Sequence, residues 1–200
     1  NKIIHKDIKP KNILINPRTQ QIKLIDFSIS SLLTKETADV QPPNILAGTL
    51  TYMSPEQTGR INRGIDYRTD FYSLGVSFYQ LLTRQLPFYS QNHLEMVYYH
   101  IAKEPVYPQV INPQIPVIIA DMIMKLMAKN PDKRYQTARG IRHDLEICQQ
   151  MLLTEGEISN FELGKRDISD RFLIYEKLYG REKEITTLLS AFENVSIGDK

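Results

Sequence analysis

The sequence has no tryptophan and one cysteine, Cys148, among its 200 residues. A single thiol cannot form an internal disulfide, and Cys148 falls within a helical pattern, so the chain is expected to fold without covalent staples in a reducing, cytoplasmic compartment. An excess of one charge is also lacking. The 25 Lys and Arg against 23 Asp and Glu leave a formal net charge of +2, too little to point to nucleic acid as a partner. No apolar run approaches the roughly 18 residues that span a bilayer. The longest, Val117 to Met127, is interrupted by Asp121 and Lys125, so no membrane segment is expected in this stretch. Nor do the histidines suit a metal site: His93 and His100 lie seven apart rather than four, and His5 and His143 are remote in sequence. The first residue is Asn1, with no signal-like apolar segment after it, and the chain reads as a soluble piece of something longer.

What is present suits a globular core. Hydrophobic residues make up 42% and charged residues 24%, with 9 glycines and 11 prolines, which does not fit a disordered or low-complexity chain. At about 100 to 200 residues per domain, the length allows one domain, or one and part of a second. Ile13 to Ile15 and Ile22 to Ile25 are short aliphatic runs around the turn composition Asn16-Pro17-Arg18-Thr19, and predict a hairpin. Residues 28 to 66 have no sustained period and read as a long loop. Helical spacing begins near Asp70, with the stripe Leu74, Phe78, Leu81 and Leu82, and is repeated by Leu94, Val97, Tyr98 and Ile101 after an Asn92/Glu95 capping box. Ile119, Met122, Ile123, Leu126 and Met127 form a third stripe. Ile141, Leu145, Cys148 and Leu152, capped by Thr137, form a fourth. All four are expected to pack a core. Residues 154–171 lose the period and suit an exposed linker, and Ile185, Leu188, Leu189 and Phe192 predict one more amphipathic helix.

One loop carries chemistry. His5-Lys6-Asp7-Ile8-Lys9-Pro10-Lys11-Asn12 places a carboxylate, an amine and a carboxamide together, and Asp26-Phe27-Ser28 follows Asn12 after the hairpin, fourteen positions on. Phosphoryl transfer from a nucleotide needs this inventory: a carboxylate to take a hydroxyl proton, oxygen ligands for Mg²⁺, and a cation against the transferring group. The spacing resembles the H-R-D-x-x-x-x-N and D-F-G motifs of protein kinases. Further landmarks follow in order: Gly48-Thr49-Leu50-Thr51-Tyr52-Met53-Ser54-Pro55-Glu56 resembles the segment ending in A-P-E, Asp70-Phe71-Tyr72-Ser73-Leu74-Gly75 the start of the family's central helix, and Arg134 the arginine that pairs with its glutamate.

The resemblance covers residues 1 to about 150 and implies a mainly α fold with a small β-hairpin, the C-terminal lobe of a protein kinase without its N-terminal lobe. It implies ATP and Mg²⁺ as cofactors and a protein Ser/Thr hydroxyl as acceptor, because Lys9 two residues after Asp7 is the serine/threonine form. Asp7 would be the catalytic base and Lys9 the cation at the γ-phosphoryl. Asn12 and Asp26 would hold Mg²⁺, and Thr49 would orient Asp7. His5, Glu56, Asp70 and Arg134 would be structural. Three departures stand out. Lys6 replaces an arginine that clamps phosphorylated loops. Ile45, which cannot accept phosphate, occupies the usual phosphosite, so activity is expected not to depend on phosphorylation there. Ser28 replaces the D-F-G glycine. No G-x-G-x-x-G or strand lysine occurs, so the piece alone is expected to bind ATP weakly and transfer little phosphate. A regulatory, pseudokinase-like lobe is the alternative.

The expected organisation is a kinase lobe over 1–153, a linker over 154–171, and a further unit from 172. In that unit, residues 172 to 195, with Leu178-Tyr179-Gly180-Arg181-Glu182, resemble the opening of AAA-type ATPase domains. No P-loop follows. Such an order is similar to bacterial multi-sensor signalling kinases, and implies the N-terminal lobe and downstream ATPase and sensor domains of the same polypeptide as partners.

Overall fold

The computed structural model describes residues 3–32, 50–61, 63–168 and 187. The chain divides into two units, 1–168 and 169–200; of the second, Thr187 is described and is helical. Thr49, Ile45 and the stripe from Ile185 to Phe192 lie outside the described residues.

The expected hairpin forms from β2 (Ile13–Ile15) and β3 (Ile22–Leu24), paired antiparallel with Ile13 opposite Leu24. Its turn is closed by the Gln20 amide donating to the Asn16 carbonyl at 2.8 Å, and the Asn16 side chain accepts from the Arg18 amide at 2.9 Å. A second antiparallel pair joins β1 (Ile3–Ile4) to β4 (Ser31–Leu32). Elements of two residues are too short to leave a periodic signal, so the sequence reading passes over them.

Among the described residues of the first unit, five α-helices build the rest: α1 (Arg68–Thr83), α2 (His93–Ala102), α3 (Pro108–Ile111), α4 (Val117–Leu126) and α5 (Ala138–Thr154). The core-facing side of α1 is only in part the expected stripe: Phe78 packs on the core. Leu81 and Leu82 are exposed, whereas Tyr72, Ser73, Gly75, Val76, Ser77 and Tyr79 are buried. Hydroxyls escape an apolar count, yet they bury well in a helix that satisfies them: Ser77 donates to the Ser73 carbonyl at 2.8 Å, and Ser73 to the Tyr52 carbonyl at 2.8 Å. On α2 the core takes Met96 and His100, leaving Leu94 and Tyr98 exposed. Asn92 does cap α2, accepting from the Leu94 amide at 2.9 Å, but Glu95 does not complete the box; its carboxylate takes the hydroxyls of Ser90 and Tyr99. Thr137 caps α5 by accepting from the Gly140 amide at 2.9 Å.

Gly75 sets how closely α1 approaches α4. A Cβ there would lie 2.8 Å from Leu126 Cβ and 2.9 Å from Met127 Cγ. Gly75→Ala is therefore expected to destabilise the lobe by about 1–3 kcal/mol despite alanine's better helix propensity, a loss that denaturant unfolding would reveal as a lower midpoint. Residues 155–168 differ from the exposed linker expected over 154–171. Ile158, Phe161 and Leu163 pack on the cluster of Ile118, Met122, Leu126, Tyr135, Ile141 and Cys148. These three apolar residues are half-buried, while Glu157, Glu162, Lys165 and Arg166, charges that suggested a linker, are exposed.

Candidate active site

The loop after β1 is gripped from below by Asp70 in the first turn of α1. Its two carboxylate oxygens accept the amides of His5 and Lys6, each at 2.8 Å. Burial raises the Asp70 carboxyl above its ordinary range, while the His5 and Lys6 amides act to lower it. Lys6 takes a left-handed backbone with φ 68°, a conformation costly for a residue with a side chain. Gln57 Nε2 donates to the Lys6 carbonyl at 2.9 Å, so both peptide groups of the strained residue are held.

His5 is buried, with Nδ1 accepting the Asp7 amide at 3.3 Å and Nε2 facing the Ile25 carbonyl at 3.1 Å. The tautomer that satisfies both contacts carries its proton on Nε2. The imidazole thus ties the loop to the end of the hairpin and lies 4.6 Å from the Phe27 ring.

Asp7 is 7% exposed. Lys9 Nζ donates to its Oδ2 at 2.6 Å, and Asn12 Nδ2 donates both to Oδ2 at 3.0 Å and to the Asp7 carbonyl at 2.9 Å. Its other oxygen, Oδ1, is buried and accepts nothing among the described residues. Asn12 ends the helical turn Pro10–Asn12, and its own carbonyl accepts the Ile25 amide at 3.0 Å, which brings Asp26 beside the loop. Asp26 is exposed, with φ 65°. Hydrogen bonds from the Ser28 hydroxyl, at 2.7 Å, and from the Ser28 amide hold its carboxyl below the ordinary range, and Lys9 adds to that effect.

Arg134 and Glu56 lie under the loop frame, both almost fully buried and paired in a fork at 2.7 and 2.9 Å. Thr69 donates to Glu56 at 2.8 Å, and Arg134 also reaches the carbonyls of Ala128 and Arg68. Burial alone would raise the Glu56 carboxyl; the Arg134 guanidinium outweighs it and holds the group low.

The structure thus brings Asp7, Lys9, Asn12 and His5 into one hydrogen-bonded loop, sets Asp26 next to it, and places Asp70, Glu56 and Arg134 in its support. Thr49 lies outside the described residues. Gln57, which fixes Lys6, was passed over in the sequence; its place directly after the glutamate of the A-P-E-like segment is the one signal that could have found it. Among the described residues, no helix is long and apolar enough to cross a membrane.

A helical fold that suspends a carboxylate, amine and carboxamide loop from a buried aspartate, with a buried arginine–glutamate fork, is consistent with a phosphotransferase domain. Residues 1–145 match the family model described as the protein kinase domain, and the chain belongs to that family. It is 37% identical over 172 residues to a hybrid signal transduction histidine kinase, G, of Dictyostelium discoideum, covering 76% of this chain and 5% of that protein. It is 39% identical over 147 residues to the serine/threonine-protein kinase PknB of Mycobacterium leprae, covering 72% and 23%. A probable serine/threonine-protein kinase of Streptomyces coelicolor is 36% identical over 146 residues, covering 73% and 21%. The chain spans less than a quarter of the length of these relatives.

Proposed function

We propose that this chain supplies the catalytic lobe of a serine/threonine protein kinase that moves the γ-phosphoryl of Mg-ATP to protein hydroxyls. The observation that carries the reading is Asp7 Oδ1, a buried carboxylate oxygen with no partner among the described residues. An unmet buried acceptor is costly, and a hydroxyl donor arriving in the site would meet it. Asp7 would align that hydroxyl and take its proton, and Lys9, already on the other Asp7 oxygen, would offset charge on the transferring group. Asn12 and Asp26 fit Mg²⁺: an amide and a carboxylate are hard oxygen ligands, and Asp26 is held in its ionised form. Bound there, the ion would draw negative charge from the phosphates. Thr49 is proposed to orient Asp7.

The segment from Leu50 to Asp66, held to the loop by Gln57 and Lys6, would receive the acceptor peptide. The exposed apolar residues Leu14, Ile15, Ile22, Leu24 and Phe27 would face the lobe that covers ATP. We read residues 172–200 as the opening of an ATPase-like region of a larger signalling protein, a setting supported by the hybrid histidine kinase relative. We place the protein in the cytoplasm.

One observation favours the pseudokinase reading. The Ser28 hydroxyl and amide both donate to Asp26 Oδ1, so they compete with a metal for that oxygen. Incubating the intact protein with labelled ATP and a generic Ser/Thr substrate decides between them. Mg²⁺-dependent label on serine or threonine, abolished by EDTA and by Asp26→Asn, is expected. No transfer by the wild type, with transfer gained in Ser28→Gly, would establish the regulatory reading instead.

A further inference from the structure

Gln136 is tied at every polar group it has. Its amide donates to Asp167 Oδ2 at 2.5 Å, its carbonyl accepts the Tyr67 hydroxyl at 2.8 Å, and its side-chain oxygen accepts Arg68 Nη1 at 2.8 Å. Its Nε2 donates to the carbonyls of Pro131 at 3.1 Å and Arg134 at 2.7 Å. One residue therefore connects the strap 155–168 to the start of α1 and to the turn that carries Arg134.

Arg68 extends the connection. Its Nε and Nη2 fork onto Asp66 at distances from 2.7 to 3.1 Å, and its Nη1 also reaches Asp132 at 2.9 Å. Arg63 joins from the same segment, donating to Asn130 at 2.9 Å and Asp132 at 2.8 Å. The side chains of Arg63, Tyr67 and Arg68, with the Arg68 carbonyl that accepts Arg134, thus hold this segment against the turn around Arg134 and Gln136, which Asp167 grips in turn.

Asp167 is itself built in. Oδ1 accepts both the Thr137 amide and the Thr137 hydroxyl at 2.8 Å, so the carboxylate meets three donors at the start of α5. Room for it comes from Gly140, where a Cβ would lie 2.4 Å from Asp167 Oδ1 and 2.6 Å from its Cβ. The Gly164 amide, three residues earlier, donates to Asp144 at 2.7 Å, which also takes the Tyr135 hydroxyl at 2.7 Å.

We propose that Asp167 is a positioning residue: by holding Gln136 it latches Tyr67 and Arg68, and through them the acceptor-peptide segment, so that the strap's attachment governs how well a protein substrate is aligned. The inference rests on the kinase reading for its consequence but not for its contacts. Whatever pulls on the chain after residue 168 would act on this latch first.

Two variants release the latch in different ways. Asp167→Ala removes the acceptor. Gly140→Ala pushes the carboxylate out sterically while giving α5 a better helix former, so it cannot act by weakening that helix through propensity. Hydrogen exchange in the intact protein is read at the amides of Thr69 and Asp70, which bond to the carbonyls of Asp66 and Tyr67. Both variants are expected to speed exchange there by about tenfold, with α4 unchanged. In phosphorylation assays, the KM for the protein substrate rises, while kcat and the KM for ATP hold. Faster exchange confined to residues 136–141, or spread evenly over the lobe, would reduce Asp167 to a cap or a staple and overturn the proposal, as would altered exchange with an unchanged substrate KM. An inactive wild type would count against the kinase reading, and the exchange data would still decide the latch.

Discussion

Asp7→Asn in the intact protein is expected to lower the rate of phosphate transfer to protein by about 10²- to 10⁴-fold, the range usual for a positioned proton acceptor. The substitution keeps the shape and can still accept the Asn12 side chain through its amide oxygen, so the loop frame from Asp70, His5 and Gln57 stays in place. What it loses is the charge that holds Lys9 and the basicity at the second oxygen. Steady-state assays would show the loss in kcat, with ATP affinity little changed, because in the proposed reading Asp7 meets the hydroxyl and not the nucleotide. An unchanged rate would remove Asp7 from the chemistry.

Arg134→Ala is expected to have the largest effect on stability. It leaves the Glu56 carboxylate buried without its cation and strips partners from the carbonyls of Ala128 and Arg68. Breaking a buried pair from one side costs about 3–5 kcal/mol, which denaturant titration would measure directly. The pH dependence identifies the cause. In the wild type, the folded Glu56 carboxyl is held below its unfolded value of 4.5, so its contribution is complete above that value and is lost as pH falls through the folded one. In the variant, burial is opposed by no cation, with only the Thr69 hydroxyl and a backbone hydrogen bond left against it, and the folded carboxyl is expected to rise above its unfolded value. The penalty is then greatest near neutral pH and shrinks as the medium turns acidic. A variant whose deficit is independent of pH would show that packing, not charge, makes Arg134 matter.

The residues proposed to carry chemistry could be grouped from the sequence because a single short loop sets their spacing: Asp7, Lys9 and Asn12 lie within six positions, and the hairpin that returns Asp26 is marked by its aliphatic runs and turn. The helices were legible as helices, and Asn92 and Thr137 announced two of their starts. Their orientation was less so. Apolar spacing put Leu81, Leu82, Leu94 and Tyr98 inside, whereas the fold buries serines that bond to their own helix and a histidine that faces Tyr72. The strap 155–168 was hidden for the opposite reason. Its three anchoring apolar residues are spaced irregularly among charges, and Asp167, the residue that fixes it, reads in sequence as an ordinary surface carboxylate.

Asp70 grips the loop by peptide N–H groups and not by side chains. Every amino acid except proline carries that group, so position 6 can drift between arginine and lysine, or further, without the loop losing its anchor. The left-handed backbone there narrows the drift by disfavouring β-branched residues. A loop held by this grip leaves the side chain beside Asp7 out of the anchoring, so a change at position 6 would leave the carboxylate at its address.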